Sequence, residues 1–204
     1  MSPTDTRTAI LDLTEELVRS RSFNAFSYQD IADRIGIRKA SVHYHFPSKE
    51  DLGVALVERL RRQAVAWASA QVERNASPLQ KFDAYLSFQA ESLRQGDMIC
   101  PQGILGAEYN ALPERVKESY IEFLEQIQTW LASVLRKGQK QGVFSRDASP
   151  EDQAALIQSA TQGALQLSRA SGRDERYYAV VQWLREHIVR QQAVAETEPA
   201  PDGE

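Results

Sequence analysis

The chain has 204 residues, 42% of them hydrophobic and 25% charged, with a formal net charge of −4. That balance fits a globular protein with a sizeable core and excludes a wholly basic nucleic-acid binder; no apolar run approaches the ~20 residues of a membrane span. No basic flank precedes an apolar run at the start, so no secretory signal is expected, and the single cysteine, Cys100, leaves no intrachain disulfide and fits a reducing, cytoplasmic setting.

Helical spacing begins at once. Ala9, Ile10, Leu13, Leu17 and Val18 recur at three- and four-residue intervals, the apolar stripe of an amphipathic helix. Ser27 with Asp30, and Ser48 with Asp51, have the spacing of capping boxes and predict two helix starts. Between them charge accumulates: positions 34–62 carry seven Lys or Arg against three Asp or Glu. An anionic partner would therefore approach the N-terminal third, where local charge counts for more than the total.

The same stretch holds the two histidines of SVHYHFPSKEDL. His43 and His45 are two residues apart and on a helix would point roughly 200° from each other, whereas ligands sharing a face need a spacing of three or four. The third histidine, His187, lies far along the chain, so neither a metal nor a cofactor is expected. Upstream, Ile31, Ile35, Ile37 and Val42 are apolar, Ala32 is small, and Gly36 follows it by four. A small residue where helices cross, a glycine at the turn and an apolar residue six positions on give the spacing of a helix-turn-helix. The second helix, about Arg38–Tyr44, would turn Arg38, Lys39, Ser41, His43 and Tyr44 outward as donors. A helical hairpin with a solvated polar face has the same local pattern.

Farther on, Ser77-Pro78 and Ser149-Pro150 read as an N-cap followed by proline at the first helical position. The segment 98–112, MICPQGILGAEYNAL, reads as a short helix between two longer ones. Val116, Tyr120, Phe123, Ile127, Trp130 and Val134 mark a long helix that Gly138 and Gly142 should close. Leu156, Ile157, Ala160, Ala164 and Leu167, then Val180, Val181, Leu184 and Ile188, give two more. From Gln191 the chain reads as a disordered tail. The fold class expected is all-α, with about nine helices.

Taken whole, residues 6–60 resemble the DNA-binding domain of the TetR family of bacterial transcriptional regulators. Ala32, Gly36, Tyr44, His45, Phe46, Ser48, Lys49 and Leu52 carry the resemblance; His43 and Pro47 depart from the usual pattern, which leaves base preference open. The resemblance implies a DNA-binding domain over 1–52, an effector-binding and dimerisation domain over 53–190, and a tail over 191–204. It implies phosphate contacts from Tyr44, His45 and Lys49 with Ser27, and a major-groove face of Arg38, Lys39, Ser41 and His43. In such proteins the break around 98–112 borders the effector pocket, which here would draw on Tyr85, Phe88, Cys100, Glu108, Tyr109 and Phe123. Cys100 stands about where some relatives that respond to electrophiles resemble this chain in having a cysteine, although no basic residue lies close in sequence to activate its thiol. The small residues Ala160, Gly163 and Ala164, with Leu156, Leu167, Val181, Leu184 and Ile188, fit either internal packing or, as the resemblance implies, a homodimer interface.

The expected function is a non-enzymatic, homodimeric repressor on a near-palindromic double-stranded operator, released by a small-molecule effector. An alternative keeps the scaffold as a DNA-bound platform for another protein, without an effector. An enzyme with Cys100 as nucleophile has no histidine or other base beside it in sequence.

Overall fold

The computed structural model describes residues 3–94 and 100–190, so the expected tail and the start of the 98–112 segment lie outside the described residues. In chain order the elements are α1 (Pro3–Arg21), a 3-10 turn (Phe23–Ala25), α2 (Tyr28–Ile35), α3 (Lys39–His45), α4 (Lys49–Glu73), α5 (Pro78–Arg94), α6 (Pro101–Ala107), a second 3-10 turn (Tyr109–Ala111), α7 (Glu114–Lys140), α8 (Pro150–Ser171) and α9 (Glu175–Ile188). Among the described residues the only extended pairing is a bridge between Phe144 and Val189. The fold is all-α, and none of the described helices is long and apolar enough to cross a membrane.

The helix starts obey local chemistry. Asp30 accepts from the Ser27 amide at 2.7 Å while the Ser27 hydroxyl accepts from the Asp30 amide, a complete capping box on α2. Ser48 and Asp51 do the same for α4, at 3.1 Å in both directions. Ser77 and Ser149 cap α5 and α8, each followed by the expected proline. Among the described residues, three glycines take positive φ where helices end: Gly36 after α2, Gly142 after α7 and Gly172 after α8. Past each one, the next amide reaches back to the carbonyl that closes the last turn, as in Val143 to Gly138 at 2.9 Å.

The chain divides into two compact units. Of the described residues, the first comprises 3–67 and 100–126; the second comprises 68–94 and 127–190. The segment expected to end at residue 52 falls within a larger unit: α4 continues unbroken past that point, and residues 100–126 belong to the same unit. In the first unit Ile10, Leu17, Phe23, Ile31, Val42 and Leu52 are sealed from solvent together with Leu105 and Val116. In the second, Phe82, Leu131, Leu135, Phe144, Ile157 and Tyr177 form the core, and the Tyr177 hydroxyl donates to the Leu86 carbonyl at 2.6 Å.

One sequence expectation needs correction. Gly142 closes α7, but Gly138 lies inside the helix rather than at its end. Its role is steric: a Cβ there would overlap the Phe144 ring, which packs into the notch. Helix propensity alone would make Gly138→Ala stabilising by about 1 kcal/mol. The packing reverses the sign, and we expect a loss of about 1–3 kcal/mol in chemical denaturation.

Candidate nucleic-acid interface

Helix α3 has only seven residues, too few to be stable alone, so its neighbours must hold it. Val42 supplies the apolar anchor and is fully buried. Tyr28, the first residue of α2, supplies the polar one. Its one hydroxyl hydrogen is shared between the carbonyls of Phe46 at 3.0 Å and Ser48 at 2.5 Å, at the junction between α3 and α4. Burial, with the Asp51 carboxylate adding to it, pushes this phenol up to about 12. On the other side Gly36, with φ 71°, makes the tight turn from α2 into α3.

With Val42 inward, the residues roughly 160° around the helix are Ala40 and Tyr44. Both are exposed, Tyr44 at 80%. Arg38 forms the N-cap of α3 and Lys39 its first turn, both also in solvent. Ser41 and His45 flank the crest on one side and are half-buried; the His45 ring meets that of Tyr44 edge-on at 5.2 Å. His43, on the other flank, leans against Tyr28 at 4.7 Å between ring centroids, with Nδ1 3.4 Å from the Pro47 carbonyl oxygen. Ala40 was missed from the sequence, although its spacing of two from Val42 marks it as outward. Its methyl offers the apolar contact that suits a thymine methyl.

Around the start of α2 the arrangement is tighter. Ser27 is exposed, and the Lys49 ammonium donates to the carbonyl of Phe26, the residue just before it. That ammonium also lies 4.3 Å from the Phe26 ring centroid and 5.3 Å from that of Phe23. Burial lowers the Lys49 pKa below the usual lysine value, and the carboxylates of Glu108 and Asp30 oppose that shift. An ammonium with further hydrogens to give, next to the amides of a helix N-terminus, is a seat for an anion.

The residues expected to line a pocket fall in different places. Tyr85, with its hydroxyl accepting from Gln89 at 3.1 Å and its ring 6.2 Å from Trp130, is buried in the second unit, where Phe88 is exposed. Cys100 is buried at the N-cap of α6 in the first unit. Phe123 is buried and Tyr109 half-buried, its ring 6.4 Å from that of Tyr120. The carboxylate of Glu108 accepts from the Phe23 amide at 2.7 Å, which ties it to the turn ahead of α2. No group of three or more His, Cys, Asp or Glu among the described residues is placed to hold a metal ion.

Of the residues expected at a subunit interface, Leu156 and Leu167 are 50% and 59% exposed, and a Cβ on Gly163 would meet nothing. Ala160 and Val181 are half-buried. Ala164, Leu184 and Ile188 instead turn into the unit's own core. Tyr178 and Trp183, absent from the sequence expectation, are about half exposed on α9, and Trp183 stacks on His187 at 3.8 Å.

Comparison with known proteins gives a consistent picture. The family described as "Bacterial regulatory proteins, tetR family" matches residues 10–56, and "Tetracyclin repressor-like, C-terminal domain" matches residues 78–184. The HTH-type transcriptional repressor KstR2 of Mycobacterium tuberculosis is 30% identical over 149 residues, covering 69% of this chain and 70% of that protein. A TetR-family regulator from Agrobacterium tumefaciens superposes with a TM-score of 0.88 at 29% identity, covering 93% of this chain and all of the other. A TetR regulator from Legionella pneumophila reaches 0.77 at 32% identity, over 88% and 95% of the two chains.

Tyr28→Phe removes the hydroxyl that anchors α3. It should cost about 1–3 kcal/mol, chiefly through the buried Phe46 carbonyl, since the Ser48 carbonyl still accepts from the Leu52 amide. The folded state favours the neutral phenol, so the wild-type contribution is complete below the ordinary value near 10 and is lost as pH rises through about 12. Denaturation curves of wild type and variant should therefore converge over that alkaline range.

Proposed function

The chain belongs to the TetR family of bacterial regulatory proteins, which regulate transcription by binding DNA, and from that premise we propose that it is a homodimeric, cytoplasmic repressor released from its operator by a small-molecule effector. The observation that carries the reading is the exposed face of α3. A two-turn helix fixed by Val42, Tyr28 and the Gly36 turn holds out Arg38, Lys39, Ala40 and Tyr44. Arg38, Lys39 and Ser41 can bond base edges in the major groove; Ser27, Tyr44, His45 and Lys49 face the flanking phosphates. His43, held against Tyr28, is better placed to set the angle of α3 than to reach a base. Repression rather than activation is favoured by the similarity to KstR2, which is named a repressor.

The dimer face is proposed on α8 and α9. Leu156, Gly163 and Leu167 lie on one side of α8 at spacings of seven and four and are exposed, with the half-buried Ala160 between them. Val181, Tyr178 and Trp183 extend this surface on α9. A small residue at 163 permits close approach of a second helix, and the exposed leucines supply the apolar area. Ala164, Leu184 and Ile188 support this face from beneath rather than forming it. For the effector, Tyr85 and Gln89 form a buried polar pair beside Trp130, the kind of polar fixture in an apolar wall that orients small ligands.

Mapping the DNA bound in the cell tests the reading and identifies neighbouring genes. Discrete peaks sharing a near-palindromic sequence are expected, and scattered occupancy without a shared sequence would refute it. At such a site Arg38→Ala or Lys39→Ala should relax discrimination by roughly 1–3 kcal/mol for each base no longer bonded. Separately, Gly163→Leu should yield monomers in sedimentation, because overpacking a close crossing costs about 1–3 kcal/mol or more. A stable dimer of that variant would move the interface elsewhere.

A further inference from the structure

We propose that Glu108, at the end of α6, is a positioning residue for DNA binding: it holds Lys49 and the entry to α2 in the geometry that receives a backbone phosphate. The inference rests on the phosphate seat proposed above and extends it to a residue far away in sequence. Four features converge on it.

The Glu108 carboxylate accepts from the Phe23 amide at 2.7 Å, joining the α6 end to the turn that leads into α2. The backbone just before that amide is strained. Ser22 has φ 93° and ψ 160°, a region that is essentially glycine's own, and a conformation of that kind persists only where its surroundings hold it. Phe23 and Phe26 pack edge-on at 6.1 Å between ring centroids, and both rings face the Lys49 ammonium, which donates to the Phe26 carbonyl. Lys49 is half-buried, and the carboxylates of Glu108 and Asp30 oppose, without cancelling, the effect of its lost hydration. Phe26 is followed directly by Ser27, the cap of α2.

Neighbouring contacts hold the same junction in register. The Ala111 carbonyl accepts from the Asn24 side chain at 3.3 Å, and the Arg115 guanidinium donates to Asp51 at 2.8 Å while Asp51 also caps α4. At Gly53 a Cβ would lie 2.7 Å from Val116 and 2.8 Å from Phe23, so the start of α7 is seated directly on α4 and on the turn. Glu108 is thus one of several ties between the 108–116 segment and the head, and the one whose charge acts on a phosphate-facing lysine.

The proposal has a sign that a bystander carboxylate does not share. A negative charge merely lying near a DNA-binding surface repels DNA, so its removal would tighten binding. A carboxylate that positions Lys49 does the reverse. Binding of the full-length protein to a random-sequence DNA duplex, measured by fluorescence anisotropy over a range of salt, reads both affinity and the number of phosphates neutralised. The variants are Glu108→Ala, Lys49→Ala and their combination. Lys49→Ala should weaken binding and reduce the slope of log affinity against log salt by about 0.9 for each phosphate it no longer neutralises. Glu108→Ala should weaken binding and lower the slope in the same direction, and should add little in the Lys49→Ala background, since coupled residues are non-additive. Unchanged or tighter binding by Glu108→Ala beside a weakened Lys49→Ala would overturn the proposal and leave the phosphate seat intact. No effect from Lys49→Ala would overturn the seat itself, and the proposal with it. Glu108→Gln, whose amide oxygen can keep the Phe23 bond, guards against a folding defect in the alanine variant. It should bind more weakly than wild type and more tightly than Glu108→Ala, and binding equal to or tighter than wild type would count against the proposal.

Discussion

The phenol of Tyr28, buried between α2 and the junction of α3 with α4, is the constraint on which the exposed face of α3 depends. Helix α3 spans two turns, and its intrinsic stability is too small to maintain an orientation. Val42 gives it burial, but burial is non-directional and would tolerate rotation of the helix about its axis. One hydroxyl hydrogen, shared between the carbonyls of Phe46 and Ser48, supplies direction. It fixes where α3 ends and where α4 begins. The crest of Ala40 and Tyr44, with Arg38 and Lys39 beside it, follows from that placement and from the α-helical period.

Electrostatics then does its work locally rather than through net charge. The chain is acidic overall, yet its cationic side chains at 38, 39 and 49 lie on or beside the exposed face of the head. The acidic residues nearby are occupied. Asp30 and Asp51 cap helices, and the Ser27 and Ser48 hydroxyls, ahead of the Arg115 guanidinium at Asp51, hold both carboxyls below the usual range. Glu108 holds the Phe23 amide. These three carboxylates are thereby tied to backbone amides at the junctions they order.

Legibility from sequence followed the range of the interaction. Capping boxes at Ser27 and Ser48, proline at the first turn of α5 and α8, and the positive φ of Gly36 are set within a few residues, and all were readable. Gly138 was misread because its reason is Phe144: a glycine that ends a helix and one that receives a ring look alike in a sequence. The bond from the Phe23 amide to Glu108 is not legible, because its partners lie 85 residues apart. For α8 and α9, periodicity identified apolar positions but could not divide them between two sides. Ala164, Leu184 and Ile188 turn inward, whereas Leu156 and Leu167 face solvent with Tyr178 and Trp183. The signal that would have separated them is aromatic residues continuing outside the apolar stripe, which marks a second surface to be covered.

The central claim is that α3 reads DNA from the major groove in two symmetric copies. Its most direct test is methylation interference on a duplex that the purified protein selects from a random pool. Methylation of guanine N7 blocks the edge that Arg or Lys would bond and lies in the major groove. The account predicts interference in two clusters related by the dyad of the site, about one helical turn or a multiple of it apart. Insensitivity to N7 methylation, interference confined to the minor groove, or one unpaired cluster would contradict it.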